Sequence, residues 1–495
     1  MHRRQFLQLL GSGVVFATLP ACAKAATSLG PGDPRVAAVE AARKGTRLVE
    51  QALSAQIVPV DLAGRIVNTW AYGSGPAAAP IRVRKGERLK VNLTNALPEA
   101  TTIHWHGLAL RNDMDGVPDM TQPKVQPGTR FTYEFTVANA GTYFFHPHMG
   151  PQLDRGLYSP LIVEDPDEPS APDAEHVLVL DDWLDGIDGA TPESTLEGLK
   201  TKMSRGMEGM AGMNHGGGSG GTGMATSTLL RGDAGDVAYP LHLINGKPPA
   251  DRPTFMSPVG GRTRLRVINA GSDTAYRFAV GGHRLTVTHS DGFPVLPFDV
   301  DTILIGMGER YDVTVSPQSG AWPIVASAEG KNATAVGVLR TTDAAASAAP
   351  QSDASLPELD REVLRYADLK PHASVALQNR PVDKTIKLRL TGDMMSYNWS
   401  LNDKRFPDTD KLIAREGQRV RIEMTNESMM WHPMHLHGHT FALDGNGLRK
   451  DTINVLPGET QAIILDADNP GQWMMHCHNT YHLEQGMATT LSYAK

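Results

Sequence analysis

The sequence predicts an all-β protein in which one strand-rich unit occurs three times. Segments such as residues 89–93 and 131–137 alternate apolar and polar residues with a period of two, which favours strands. Residues 86–95 match residues 417–426, and a shorter copy occupies residues 264–269. The chain has 495 residues, too many for one hydrophobic core, and a domain size of about 150 residues predicts about three domains.

The composition excludes several classes of protein. Charged residues make up 20% and hydrophobic residues 40% of the chain, which does not fit a disordered protein. The net charge is −7, with 47 basic and 54 acidic residues, so no nucleic-acid partner is expected. No run of 18 apolar residues follows residue 22, so no membrane-spanning helix is expected, and two cysteines exclude a disulfide scaffold. The excess of histidine (18) and methionine (20) points to a metal site.

Residues 1–25 have the features of a cleaved export signal. An arginine pair at residues 3–4 precedes an apolar stretch at residues 14–21, as in a twin-arginine signal segment. We therefore expect an exported, periplasmic protein. Residues 19–22 resemble a lipoprotein cleavage box, so a lipid anchor at Cys22 is an alternative to ordinary cleavage a few residues later.

The remaining chain divides into three units. We expect the first unit at residues 55–168, the second at 174–342 and the third at 359–495. Residues 343–358 are rich in Ala, Ser and Pro and indicate a linker, whereas residues 203–224 are rich in Gly, Met and Ser and indicate a mobile insertion in the second unit.

Ten of the histidines lie in four short clusters, all in the first and third units. The clusters are His104 and His106; His146 and His148; His432, His435 and His437; and His476, His478 and His482. Residues i and i+2 of a strand point to the same side, so each His-x-His pair presents two imidazoles to one face. Four such pairs offer eight imidazoles, which suits a cluster of several copper or iron ions better than a single ion.

A second metal centre is predicted around Cys477. This residue lies between His476 and His478, so on a strand its sulfur points away from their rings. With His432, His482 and a weak axial Met487, the thiolate completes the ligand set of a blue-copper electron-transfer site.

The internal repeat limits the chain to one such site. The first unit carries Pro147, Gln152 and Leu157 at the positions that match Cys477, His482 and Met487. None of the three can replace its counterpart as a blue-copper ligand. The blue-copper site is therefore expected in the third unit, and the histidine cluster between the first and third units.

The ordered clusters, together with residues 115–118, 121–123 and 127–128 between the first two, resemble the multicopper oxidase family. The resemblance covers about residues 65–495 and is strongest to three-domain bacterial laccase-like and copper-resistance members. It implies three consecutive cupredoxin-like β-sandwiches of Greek-key topology and four copper ions: one type 1, one type 2 and a type 3 pair. It also implies an oxidoreductase that couples one-electron oxidation of a reducing substrate to four-electron reduction of dioxygen to water.

The resemblance assigns each ligand by its position in the motifs. His104 and His435 would bind the type 2 copper. The type 3 pair would be held by His106, His146 and His478 on one side and by His148, His437 and His476 on the other. The type 1 copper would be held by His432, Cys477, His482 and Met487. His439 is expected to lie outside the ligand set.

Two acidic residues are candidates for supplying the four protons that dioxygen reduction consumes. Asp115 matches an acidic position that the family places near the cluster, although an Asp before Gly116 is also typical of a turn. Glu484 is the weaker candidate, because some relatives carry the acid where Leu483 stands here.

Several residues bear on the substrate. Soft thioethers prefer Cu(I), so Met203, Met207, Met210, Met213 and His215 of the insertion are candidates for handling substrate copper. Asp451 matches an acidic position that some cuprous-oxidising relatives place beside the type 1 site. An axial Met487 is expected to hold the type 1 potential low, which leaves easily oxidised substrates such as cuprous ion, phenols and diamines.

We favour Cu(I) as the substrate, in copper tolerance, with phenol oxidation as a side activity of a monomeric enzyme. One alternative is a laccase-like oxidase of phenols or Mn(II). The other is an exported copper-sequestering protein without turnover, against which the intact His-Cys-His segment argues because storage needs no electron path.

Overall fold

The computed structural model describes residues 28–168, 170–209, 225–344, 348, 350–351 and 356–495, with residues 202–209 described by backbone alone. The expected signal segment, Cys22, half of the expected linker, and Met210, Met213 and His215 lie outside the described residues. No helix among the described residues is long and apolar enough to cross a membrane.

The all-β prediction is confirmed, and the first unit is a sandwich of two four-stranded sheets preceded by one helix. The helix α1 is Pro34–Arg43, and the strands are β1 (Leu48–Leu62), β2 (Arg65–Tyr72), β3 (Ile81–Arg84), β4 (Arg88–Asn95), β5 (His104–His106), β6 (Arg130–Thr136), β7 (Gly141–His146) and β8 (Ser159–Glu164). The sheet orders are β2-β1-β4-β6 and β3-β8-β7-β5. Short 3₁₀ turns occur at Asn112–Met114 and Gly150–Arg155.

The second unit contains a six-stranded and a five-stranded sheet. Its elements are β9 (Ala174–Trp183), α2 (Pro192–Gly209), β10 (Thr226–Ser227), β11 (Gly232–Asp233), β12 (Leu241–Ile244), β13 (Thr254–Ser257), β14 (Thr263–Asn269), β15 (Tyr276–Val280), β16 (Leu285–Ser290), β17 (Phe293–Val300), β18 (Ile303–Ile305), β19 (Arg310–Val315), β20 (Ala321–Ala328) and β21 (Ala333–Thr341). The orders are β12-β9-β14-β19-β16-β17 and β13-β21-β20-β15-β18, with β10 and β11 paired separately.

The third unit has the same architecture. Its elements are β22 (Lys384–Thr391), β23 (Ser400–Leu401), β24 (Leu412–Ala414), β25 (Arg419–Asn426), β26 (His432–Leu436), β27 (Phe441–Leu443), β28 (Arg449–Lys450), β29 (Thr452–Val455), β30 (Thr460–Asp466), β31 (Gln472–Cys477), α3 (Thr480–Glu484) and β32 (Ala488–Tyr493). The orders are β23-β22-β25-β30-β27-β28 and β24-β32-β31-β26-β29. Further 3₁₀ turns are Pro249–Asp251, Thr342–Ala344, Pro357–Asp360, Tyr366–Asp368 and Ala373–Val375.

The internal repeat corresponds to equivalent strands. In β4, every second side chain (Leu89, Val91, Leu93) is buried, as its period-two pattern predicts. β4 pairs in parallel with β1 and antiparallel with β6, and its repeat β25 pairs in the same way with β22 and β30. The first sheet begins at Leu48 rather than near residue 55, because residues 48–55 of β1 form the parallel ladder with β4.

Candidate metal centres

Eight imidazoles gather between the first and third units. β5 pairs with β7 so that His104 lies opposite His146, and β26 pairs with β31 so that His435 lies opposite His476. These two strand pairs face each other, and the Nε2 atoms of His104 and His435 are 3.4 Å apart. The rings also stack across the interface, with His106 3.8 Å from His435 between centroids.

The two sets of three rings that the family resemblance assigns to the type 3 pair each lie close together. His437 and His476 have Nε2 atoms 3.1 Å apart, and the ring of His148 lies 4.7 and 4.9 Å from theirs. In the other group the ring of His478 lies 4.8 Å from that of His106 and 5.2 Å from that of His146. His104 and His435 lie between these groups, and the ring of His104 also stacks on that of His437 at 3.7 Å between centroids. The assignment of each ring to one copper ion stays a prediction.

Backbone carbonyls fix the orientation of four of these rings. In each case the ring Nδ1 lies within 3.1 Å of a carbonyl oxygen and donates to it, which leaves the Nε2 lone pair directed elsewhere. The pairs are His104 with Asp115, His146 with Pro147, His435 with Asp451, and His476 with Cys477.

The donor set fits metal ions. Several buried ring nitrogens have no hydrogen-bond partner among the described residues: His106 Nδ1, His146 Nε2, His148 Nε2 and both nitrogens of His478. Burial, and next the neighbouring imidazoles, lower the pKa values of six rings well below the usual range: His106, His146, His148, His437, His476 and His478. Neutral imidazoles with unpaired, converging nitrogens are unfavourable unless a cation binds them.

Asp115 contacts two of the cluster rings from outside. Its carboxylate Oδ2 is 2.9 Å from His437 Nδ1, and Oδ1 is 3.2 Å from His104 Nδ1. The turn that positions it requires Gly116, whose φ is +84° and where a Cβ would lie 1.9 Å from the carbonyl oxygen of Ile103. Asp115 is thus both a turn residue and a contact of the cluster histidines.

Asp451 lies beside the histidine cluster, which does not agree with a substrate-copper role. It is wholly buried, and its two carboxylate oxygens each lie 2.7 Å from a guanidinium nitrogen of Arg310. Against the opposing effect of burial, this guanidinium lowers the pKa of Asp451. Oδ1 is also 3.2 Å from His106 Nε2 and 3.5 Å from His435 Nδ1. Asp451 is therefore part of a metal-site environment, but it contacts histidines of the eight-histidine cluster and not the Cys477 centre.

A second, separate set of ligand atoms surrounds Cys477. Its Sγ is 3.7 Å from His432 Nδ1 and 3.5 Å from His482 Nδ1, and the two Nδ1 atoms are 3.1 Å apart. All three side chains are buried, and burial raises the pKa of the thiol. Met487 is buried too, and its carbonyl accepts from the Cys477 amide at 3.0 Å, so the backbones of the expected axial residue and the cysteine are adjacent.

Three further residues hold this centre, and the sequence analysis missed them. Ser428 Oγ is 2.7 Å from His432 Nε2, and Asp236 Oδ2 is 3.1 Å from His482 Nε2. The Trp399 ring lies 4.2 Å from that of His482. Asp236 belongs to the second unit, so no local motif could have identified it.

Glu484 ends α3, two residues after His482. Its side chain is half-buried, and burial raises its pKa to about 7, against the opposing charge of Lys200 on α2. Both α2 and α3 contact the turn Gly150–Arg155. Met203 and Met207 lie on α2, but their side chains are outside the described structure.

His439 adjoins the cluster but its nitrogens point to other partners. Nε2 is 2.7 Å from the Tyr493 hydroxyl, and Nδ1 is 3.2 Å from the carbonyl of His437.

Comparisons with known proteins agree with this arrangement. Three family models, each described as multicopper oxidase, match residues 56–168, 175–344 and 379–495. The chain is 44% identical to the multicopper oxidase MmcO of Mycobacterium tuberculosis, over 99% of this chain and 96% of that protein. It is 29% identical to copper resistance protein A of Escherichia coli, over 86% and 90% of the two chains. The crystal structure of a laccase from Botrytis aclada is 25% identical, with a TM-score of 0.74 over 90% and 88% of the two chains.

Proposed function

Because the chain belongs to the multicopper oxidase family, we propose that it is a four-copper oxidase with a type 1 site at Cys477 and a trinuclear site at the eight histidines. Copper ions bound at these sites would supply one-electron oxidation of a reducing substrate and the reduction of dioxygen, which takes up four electrons and four protons to give two water molecules. The observation that carries this proposal is the pair of separate buried ligand sets: His432, Cys477 and His482 in one, the cluster histidines in the other.

The backbone of β31 joins the two sets. Cys477 faces one centre while its neighbours His476 and His478 face the other. The His476 Nδ1 also lies 2.8 Å from the Cys477 carbonyl oxygen. One short covalent segment therefore links the thiolate to two cluster ligands, and a protein that only stores copper does not need such a link.

We favour Cu(I) as the substrate because two exposed methionines lie on segments whose neighbouring residues contact the chain around Asp236. Met429 and Met395 are 76% and 51% exposed. Met430, next to Met429, forms a β-bridge with Asp233 in the loop that carries Asp236. Met395 lies in the loop whose Tyr397 hydroxyl donates to Asp236 at 3.2 Å. Thioethers prefer Cu(I), and Asp236 connects this surface to His482.

The decisive experiment is oxygen uptake by the copper-loaded protein with Cu(I) or dimethoxyphenol, each with and without a Cu(I) chelator. Efficient Cu(I) turnover supports a cuprous oxidase. Strong phenol or Mn(II) turnover with poor Cu(I) turnover supports the laccase-like alternative, which the structural similarity to a laccase also favours. Copper binding without any oxygen uptake would support the sequestering alternative.

A variant pair identifies the Cu(I) surface. The substitutions Met395→Leu and Met429→Leu remove two thioethers at nearly constant volume, so KM for Cu(I) should rise about tenfold while phenol kinetics stay unchanged. The control is Met256→Leu, which alters a 40% exposed methionine elsewhere in the second unit. An unchanged KM, together with unchanged Cu(I) kinetics after deletion of residues 203–224, would exclude methionine-assisted Cu(I) binding.

We also propose Asp115 as the main proton donor to the trinuclear site, with Glu484 as the weaker candidate. Asp115 reaches His437 and His104, whereas Glu484 lies on α3 near the other centre. Asp115→Asn should keep the blue colour and the copper content but slow oxygen reduction by about 10²-fold. Equal turnover of the variant and the wild type would reject this role.

The leader supports export through the twin-arginine system to the periplasm. Mass spectrometry of the mature N-terminus distinguishes a soluble product from one anchored at Cys22, since a first residue beyond Cys22 excludes the anchor. We expect a monomer, which light scattering would test.

A further inference from the structure

We propose that Arg310 of the second unit is a positioning residue for the eight-histidine centre and acts through Asp451. This inference rests on the proposed trinuclear site. The second unit contributes no histidine to that centre, yet Arg310 brings a wholly buried guanidinium to its edge. The surroundings of Arg310 explain how a unit without ligands fixes the ligands of the other two.

Arg310 connects all three units. Its two terminal nitrogens each donate to one oxygen of Asp451, both at 2.7 Å. Its Nε donates to the carbonyl of Thr142 in the first unit at 3.0 Å, and a terminal nitrogen donates to Gly308 at 3.1 Å. A planar fork that contacts both carboxylate oxygens fixes the rotation of the carboxylate as well as its distance.

The carboxylate of Asp451, fixed in this way, contacts the Nε2 atom of the cluster residue His106. Asp451 Oδ1 and Thr452 Oγ1 both lie 3.2 Å from His106 Nε2, and among the described residues no backbone carbonyl hydrogen-bonds to this ring nitrogen. The Nδ1 of His106 is buried without a partner, as expected for the ligating atom. His435 is less dependent, because its Nδ1 also contacts the Asp451 backbone carbonyl at 2.9 Å. Removing the fork should therefore loosen His106 more than His435.

Two glycines bring these groups into contact. A Cβ at Gly107 would lie 2.4 Å from a guanidinium nitrogen of Arg310 and 2.6 Å from Asp451 Oδ2. A Cβ at Gly308 would lie 2.9 Å from His478 and 3.0 Å from His106. Both glycines have positive φ, +86° and +82°, so a side chain there is strained as well as obstructed. The ion pair and the rings are thus packed directly against each other.

The test compares copper retention in Arg310→Met with that in the wild type under a competing chelator, by copper analysis per chain. The cluster ions should be lost at about 10–100-fold lower chelator concentration, the usual effect of removing a group that orients a ligand. The blue absorbance of the Cys477 centre should persist. Arg266→Met is the matched control, because Arg266 is also buried in the second unit, pairs with Asp312 at 2.8 Å and contacts Thr142. It should retain copper like the wild type.

A second comparison tests the action through Asp451. Arg310→Met added to Asp451→Asn should release no more copper than Asp451→Asn alone, since an Asn offers one acceptor oxygen and the two-point contact that fixes the carboxylate is already lost. If Arg310→Met does not fold, Arg310→Lys is the test. Lysine keeps the positive charge but cannot contact both carboxylate oxygens as the guanidinium does, so this variant should lose part of its cluster copper. Wild-type protein without cluster copper would reject the proposed function itself. Wild-type retention by Arg310→Met or Arg310→Lys, or an additive double variant, would overturn the inference.

Discussion

The Cys477 pocket of the third unit has an equivalent in the first unit that holds no metal ligands. Alignment of His435 with His104 and of His476 with His146 places Thr101 at the position of His432. Gln152 likewise occupies the position of His482. The two polar groups close the pocket themselves, because the Thr101 hydroxyl donates to Gln152 Oε1 at 2.9 Å and the Gln152 amide donates to Ala100.

In the third-unit pocket, the matching residues His432 and His482 are not a hydroxyl and an amide that can pair in this way. Its two Nδ1 atoms face each other at 3.1 Å beside the Cys477 thiol, whereas the first unit has Pro147 at the thiol position. Leu157, which matches Met487 in the internal repeat, packs in the first-unit core. The two units share a feature beside the pocket: the side-chain amide groups of Asn95 and Asn426 each donate to two backbone carbonyls. One scaffold therefore gives either a hydrogen-bonded core or a metal centre, and four side chains decide which.

The largest effect is expected when the third-unit pocket loses its thiol. Cys477→Ser should abolish the blue absorbance and lower oxidase activity by roughly 10³-fold or more, the scale of removing an essential catalytic group. The eight-histidine centre should keep its copper, because the Cys477 sulfur belongs to the separate ligand set. Copper analysis and absorbance spectra check both statements. Loss of all copper from the variant would mean that the two centres are not independent.

The sequence predicted those parts of the molecule that local patterns encode. The period-two strands, the repeat and the two buried clusters, one of histidines and one of His432, Cys477 and His482, could be predicted, because each His-x-His spacing acts within one strand. The role of Met487 and the copper ion assigned to each histidine stay predictions. Asp236 and Arg310 could not be, since each comes from the second unit and meets its partner across more than 100 residues of chain. For the same reason the sequence predicted that Asp451 lies near a copper site but not that it pairs with Arg310.

The next effect concerns Asp236, whose position relative to His482 differs from the first-unit pocket, where the side chain of Gln152 hydrogen-bonds to Thr101 and Ala100 of its own unit. Asp236→Asn removes the carboxylate that lies 3.1 Å from His482 Nε2. We expect kcat/KM for Cu(I) to fall about 10–100-fold, with the blue absorbance retained. Steady-state oxygen uptake measures this. A fall of similar size in Asp233→Asn, which removes a neighbouring buried carboxylate, would assign the effect to negative charge in this region and not to the contact with His482.

Met487→Leu makes the axial position of the third unit identical to that of the first. Removing a weak sulfur ligand should raise the type 1 potential while the thiolate and two imidazoles keep the site. Each 59 mV corresponds to a factor of about ten in a one-electron equilibrium constant, so turnover of phenols that are hard to oxidise should rise severalfold. Redox titration of the blue band gives the potential directly. An unchanged or lower potential would show that Met487 does not act as a ligand.

The smallest effect is a pH-dependent stability that only the third-unit pocket should have. Burial, and next the neighbouring Asp236, raises the pKa of Asp233 to about 6 from an ordinary value of 3.8, while a hydrogen bond from the Gly235 amide opposes the rise. The folded protein therefore holds this proton more tightly than the unfolded chain, so the contribution to stability is full below pH 3.8 and is lost as pH rises through about 6. Asp233→Asn removes the charge and keeps an acceptor for Gly235. The Tm of the metal-free protein should rise by about 2–4 °C at pH 8 and change little at pH 4, with the exposed Asp251→Asn as a control that shows neither change. An equal shift at both pH values would mean that packing, and not the buried charge, makes the two pockets differ in stability.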